Sequence, residues 1–412
     1  MADTSSAHGY GALYYGLESV AFGTEAAAFS YIEVKNWVDG RNQGYHDNDV
    51  VKQGLQQHTS GVVGVKSDST AELEMYMHGY STSTPVAAPA ALHPDAQLLA
   101  CALGGAVFGG YDGTGIQAGT TDSNLVLSDA SSFEAGQAVL VNGEIGWVAA
   151  ATTYPDSEEL ALLHDLRAVP DNSDKVYGAI TVFPTDAFDA TDSPSLSFKW
   201  LGLRTDDVVK HLGCRPNSCS IEGAPKDFLT MKMGFDVSNW SRADTGGNPE
   251  PLTYSYPTRE QIVGARLLLQ ENTGAIASME ADCSKFSLNF GLGISPKTDL
   301  NASQGVAEYR KTATEVILEV DPIQGIESTT AGWEFNFNAQ YQYTAVLQVG
   351  TTAGRTISIC LPAAELVNFP ATADRDGLNA KSLKLRGMAH TRCTGSAGDA
   401  YPTNKTCMVA YA

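Results

Sequence analysis

A chain of 412 residues exceeds the ordinary size of one domain, so two domains, or one large domain carrying an insertion, is the first expectation. The composition, 43% hydrophobic, 18% charged and with 40 Gly, excludes a disordered chain and a helical bundle and favours short strands joined by many turns. With 47 acidic against 26 basic residues the formal net charge is −21, which disfavours tight binding to nucleic-acid phosphates and keeps the chain soluble.

Met1 to Gly9 has no basic segment followed by an apolar one, so no signal peptide is expected and the chain is expected to fold in a cytoplasm. No apolar run approaches the ~20 residues of a membrane helix, so no membrane partner is expected. A Gly-broken segment, Leu13 to Thr24, leads to the strand-like Phe29–Val34. Residues 36–59 are polar and turn-rich and read as a long loop. Large aromatics gain stability in a loop only by docking. Trp37 and Tyr45 therefore argue against disorder. If the chain is one subunit of an assembly, this loop, through Trp37, Tyr45, His46, Asp49 and Val50, is the candidate contact to a neighbouring molecule, the other option being an arm folded on its own domain. Leu73, Met75 and Met77 alternate, predicting a strand over 70–78. Pro94 fits a helix start, and Leu98, Leu99, Ala102, Leu103 and Ala106 keep helical spacing until Gly109-Gly110, so one helix docked on a sheet is expected.

From 113 to 185 the character changes. Short strands are expected at 124–128, 137–141, 144–148, 160–164 and 176–182, with Asn142-Gly143 as the hairpin signal. Ten Asp or Glu against two Lys or Arg give this stretch a net charge of −8, so it reads as a compact acidic β-module. Alternation then predicts strands at 195–203 and 228–238, around a turn-rich 213–223. Residues 244–256 read as a second long loop, and 262–269 fit either a helix after the capping-box-like Thr258–Gln261 or a strand. Strands follow at 284–292, 315–320 and 341–349. The chain closes with a two-strand unit, 355–361 and 381–386, separated by the Pro-punctuated 361–370 and the acidic turn 374–379.

Catalytic signatures are lacking. No Gly-rich loop ends in Gly-Lys-Ser/Thr, and Thr394-Gly-Ser-Ala-Gly398 lacks the first Gly of a nucleophile elbow. Asp374-Arg-Asp-Gly lacks the remaining ligands of a calcium loop. Cys214 and Cys219 have a metal-like gap but no second pair of ligands, and seven Cys is an odd number that argues against a disulfide framework. Cys101 and Cys360 sit in apolar patterns as small core residues. Adjacent carboxylates such as Glu158-Glu159 point to opposite faces of a strand and do not converge. No catalytic residue, cofactor or metal is expected, and the three Asn-X-Ser/Thr tripeptides at 239, 301 and 404 read as chance.

Ala364-Glu-Leu-Val-Asn-Phe-Pro370, running through Asp374-Arg-Asp-Gly-Leu378 into the last strands, resembles the C-terminal half of tailed-phage tail tube proteins of the siphophage major tail protein type. Gly16-Leu-Glu-Ser-Val-Ala-Phe-Gly-Thr24 is similar to the way some of them open, and Ser131 to Gly143 resembles the start of small domains inserted in phage tail proteins. The resemblance implies a strand at 262–269. It also implies a mainly β fold: an antiparallel sandwich or barrel of tail-tube type with one flanking helix and an inserted small β-domain. The expected divisions are 1–112 and 186–412 for the tube domain and 113–185 for the insertion, which is expected to project outward and to be dispensable for assembly.

By the same resemblance the protein forms rings, usually sixfold, that stack on one another and meet other tail proteins in the virion tail. DNA passes through without specific binding. A variant replaces the single interrupted domain with two tandem tube-like domains, roughly 1–245 and 250–412, in rings of fewer chains. The alternatives are a β-sandwich carbohydrate-binding protein or hydrolase, with Trp37, Trp147, Trp200, Trp240 and Trp333 as sugar platforms, and a capsid or cement protein.

Overall fold

The computed structural model describes residues 12–18, 22–43, 45–46, 62–63, 66, 69–79, 93–104, 107–108, 111–152, 158–185, 195–201, 208–243, 262, 265–272, 279–281, 284–302, 304–324, 337, 340–352, 354–368, 371–375, 378–393 and 405–412. In chain order the first strands are β1 (Ala12–Leu17), β2 (Ser30–Ile32), β3 (Asn36–Gly40), β4 (Tyr45–His46), β5 (Val62–Val63) and β6 (Ser69–Tyr76), followed by helix α1 (Pro94–Leu103) and β7 (Val107–Phe108). Next come β8 (Tyr111–Gly115), β9 (Asn124–Val126), β10 (Ala138–Val141), β11 (Glu144–Thr152), β12 (Glu159–Leu162) and β13 (Lys175–Gly178). Then follow β14 (Ile180–Val182), β15 (Leu196–Leu201), β16 (Val208–Gly223), β17 (Thr230–Ala243), β18 (Arg266–Glu271), β19 (Met279–Ala281), β20 (Lys285–Thr298) and β21 (Val306–Gln324). The last are β22 (Gln342–Val349), β23 (Ile357–Leu366), β24 (Ala371–Arg375), β25 (Leu378–Gly387) and β26 (Met408–Tyr411).

Every strand pairing is antiparallel. One face of the sandwich is the eight-strand run β3-β6-β17-β16-β20-β21-β25-β24. The other carries β2-β1-β15, and β19-β18-β22-β23-β26-β14-β7. The two faces are joined where β16 pairs with β15 along 208–214 and with β20 along 219–223, and where the end of β23 meets β25. The mainly β sandwich expected from the alternation is present, and its strands do not close into a barrel.

Alternating side chains fill the interior, as period-2 patterning requires. Met231, Met233 and Phe235 of β17 and Phe286, Leu288 and Phe290 of β20 join Leu267, Leu347, Ile359 and Leu385 in one core. Phe198 of β15 links the faces, its ring 5.2 Å from Trp37 of β3 and 5.0 Å from Phe235.

Strands β8 to β13 form a separate six-stranded sheet in the order β8-β13-β10-β11-β12-β9, with its own core of Leu125, Val139, Val148, Leu160 and Val176. Its β10–β11 turn is Asn142-Gly143, both at positive φ (50° and 80°), the type I′ geometry that twists with its strands. The outer side of this sheet packs on the main sandwich: Leu140, Ile145 and Trp147 meet Leu268, Val346, Cys360 and Met408. Polar ties accompany the packing. Gln348 accepts from the Ile145 amide at 3.0 Å and donates to the Gly143 carbonyl at 2.9 Å, and Arg266 is ion-paired with Glu144. Removing the small sheet would bare that apolar surface, a cost that outward projection alone did not foresee.

Four sequence expectations are corrected. Residues 36–40 are strand β3, paired with β6, because the Trp37 side chain has a place in the core. The 213–223 region is the second half of the unbroken β16, and β23 runs through Pro362; each proline lies at a β-bulge, where a missing N–H interrupts no ladder bond. The closing unit has three strands, since β24 forms a hairpin with β25. The helix stops at Gly104, φ 123°, five residues before the expected Gly pair, and Val107–Phe108 instead pairs with β14. All ten helix residues are buried, so α1 is a core element between β14 and β16.

Candidate assembly surface

Trp37 is only 7% exposed, packed inside its own subunit between Phe198 and, edge-on at 5.6 Å, His211. Its strand neighbour Asp39 is bonded to His211 Nε2 at 3.1 Å. Burial opposes the Asp39 charge, but His211 and the adjacent Arg41 hold its carboxyl below the usual range. Tyr45 and His46 form β4, which pairs with β5 in a small ladder between β3 and β6. Asp49 and Val50 lie outside the described residues, as does the 244–256 loop. Two of the five candidates thus share one ladder, and a third, Trp37, sits on the strand leading into it.

The surface that sequence reasoning missed is made of strand edges. Among the described residues β3 pairs only with β6, and β24 only with β25, so the eight-strand run has an open ladder at each end. Val38, on β3, is an exposed large apolar residue. Period-2 reading finds strands but cannot order them across a sheet, so it gives no signal for which strands are edges.

The outer face of this run is polar. Glu72, Glu74, Ser218, Ser220, Lys232 and Asn289 line two shallow open depressions, with ion pairs Lys35–Glu74 at 2.8 Å, Lys232–Glu222 at 2.7 Å and Lys384–Glu319 at 2.7 Å. Beyond it the β20–β21 hairpin continues past its neighbouring strands, held to the body by Tyr309, packed edge-on against Phe22 at 5.7 Å, and by Lys311, which donates to the Leu103 carbonyl at 3.0 Å. Its tip is closed by Asp299 N–H to Gly305 O at 3.1 Å, and Leu300 at the tip is fully exposed.

Among the described residues no three His, Cys, Asp or Glu gather as metal ligands, and no helix is long and apolar enough to cross a membrane. Cys214 and Cys219 are both buried thiols, with burial pushing Cys219 up to about 12. Trp147 is fully buried, and the Trp240 ring is covered by Lys66 at 4.3 Å and Arg41 at 5.3 Å, so neither is an open sugar platform. Trp333 is outside the described residues.

A β-sandwich whose eight-strand run has an open edge at each end and a polar outer face is the architecture of a protein that offers backbone ladders for pairing. Residues 11–322, more than half of the chain, match the phage tail tube protein family, and the chain belongs to it. It is therefore a structural protein of the virion tail. Among curated proteins none matches the chain. The matched span includes the opening phrase at 16–24 and the small sheet, and stops before 364–378, where most of the sequence resemblance lies.

Proposed function

We propose that copies of this chain join edge to edge into rings, and that the rings stack into the hollow tail tube through which the phage genome passes. Family membership together with the open β3 and β24 ladders supports this reading, because a ring gives every unpaired N–H and C=O of those edges a partner. The exposed Leu300 tip of the β20–β21 hairpin and the β4–β5 ladder suit contacts between successive rings, and other tail proteins cap the ends. The six-stranded sheet β8 to β13, in the stretch the sequence marks as 113–185, is an inserted module on the tube's outside, between the parts of the chain that precede and follow it. The net charge of −21 lets DNA slide, since each Lys or Arg contact would hold the duplex by counterion release. Assembly takes place in the host cytoplasm, and no catalytic step is involved.

Negative-stain microscopy of the concentrated protein, at moderate salt to screen its charge, tests this. Rings or hollow tubes are expected. Single particles at every concentration, with glycan binding, would favour the carbohydrate-binding alternative instead.

A further inference from the structure

The eight-strand run repeats. In its first four strands, β3-β6-β17-β16, the order across the sheet is first, second, fourth, third by chain position. In its last four, β20-β21-β25-β24, the order is again first, second, fourth, third. The strands around each quartet repeat too. The β1–β2 hairpin precedes the first quartet and the β18–β19 hairpin the second. β1 pairs with β15, which pairs with the start of β16; β18 pairs with β22, which pairs with β23, the strand leading into β24. The six-stranded module is the one large element without a counterpart, and it lies between the second and third strands of the first quartet only.

The two quartets are joined inside the chain by β16 and β20, in register from Cys219 opposite Phe290 to Gly223 opposite Phe286. By the repeat, the open edge equivalent to β16 is β24, and the open edge equivalent to β20 is β3. We infer that each chain supplies two successive tube units, that β24 of one copy pairs antiparallel with β3 of the next as β16 pairs with β20, and that three copies close the ring. This rests on the tube reading above. Eight alternating strands place β3 and β24 in opposite directions, so the joint between copies is antiparallel like every other. The interface is head-to-tail and closes only as a ring.

Strand count sets the number of copies. At about 4.8 Å between strands and a tilt of about 40°, each strand takes up about 6.3 Å of circumference, and inward side chains take about 10 Å off the diameter. Two copies, sixteen strands, leave about 22 Å inside once side chains are subtracted, too little for a hydrated duplex about 20 Å wide. Three copies leave about 38 Å, enough for DNA and a water layer, and four leave about 54 Å, more than twice the duplex. Three chains thus do what the resemblance assigned to six.

The test combines ring symmetry of the wild-type protein with cysteine cross-linking. Val38→Cys is combined in turn with Ala371→Cys, Ala373→Cys or Arg375→Cys, which covers alternative registers, and oxidised under native conditions; the six cysteines of the described residues are buried. Threefold rings, with at least one pair linking chains into a covalent ladder that ends at three, are expected. Rings of another symmetry, or rings in which no pair links, overturn this inference and leave the tube reading standing. A wild-type protein that stays a single chain throughout overturns both.

Discussion

The Trp147 indole N–H of the small sheet donates to Ser358 Oγ on β23 at 3.3 Å, and both residues are buried. One hydrogen bond thus ties the inserted sheet to the strand that carries the sandwich core on its other face. Replacing Trp147 by Ala empties a fully buried site and should cost about 3–5 kcal/mol. Trp147→Phe keeps an aromatic ring but loses both the donor and the volume of the second ring, so it should cost more than the hydrogen bond's about 1 kcal/mol and less than the Ala variant. Urea unfolding followed by circular dichroism checks both. A single cooperative transition is expected in each case, and a separate early transition would show that the small sheet unfolds alone.

Asp95, in the first turn of α1, is fully buried; desolvation pushes its carboxyl up to about 7, although it accepts the His78 amide at 2.8 Å. A carboxyl raised in the folded state stabilises the fold while protonated and loses that contribution as pH rises from its ordinary value through about 7. His78 acts oppositely: burial, then His93, holds it at about 4, so its contribution grows as pH rises from there to 6.5. Burial also lowers His93, His164 and His390, whose contributions rise with pH alongside that of His78 and mask the Asp95 decline in the wild type. Asp95→Asn should keep the His78 bond and remove only the Asp95 decline, so the melting temperature of the variant relative to the wild type should rise as pH passes through about 7. A difference that stays constant across that range would assign no pH dependence to Asp95.

Glu18 accepts four hydrogen bonds, from the Gly213 and Gly23 amides at 2.8 Å each and from the Ser197 and Ser195 hydroxyls at 2.7 and 2.5 Å. It fastens β1 to β15 and to the middle of β16, where that strand changes partners. Glu18→Ala leaves the buried Gly213 amide and the half-buried Gly23 amide without acceptors and should cost about 3 kcal/mol. Glu18→Gln retains one acceptor oxygen and should lose less. Chemical denaturation of the three proteins side by side checks the order.

Much of the fold was legible as alternation. Leu73, Met75 and Met77, and Phe286, Leu288, Phe290 and Leu292, are buried on one face as read. The assembly surface was less legible. Trp37 looked like a docking aromatic in a loop because nothing local shows that β6 lies beside it, and the edge strands β3 and β24 became visible only once all eight strands were in order.

The sequence alone determined the mainly β class, most of the strands, the Asn142-Gly143 hairpin and the kinship to tail tubes, because each depends on residues near one another in the chain. The tertiary structure decided which strands are neighbours and what covers each face. Leu347 lies in the sandwich core and its chain neighbour Val346 against the small sheet; Ile359 and Cys360 divide the same way. A run of apolar residues records that both faces are buried, but the partner on each face comes from segments distant in the chain, and only long-range pairing specifies it.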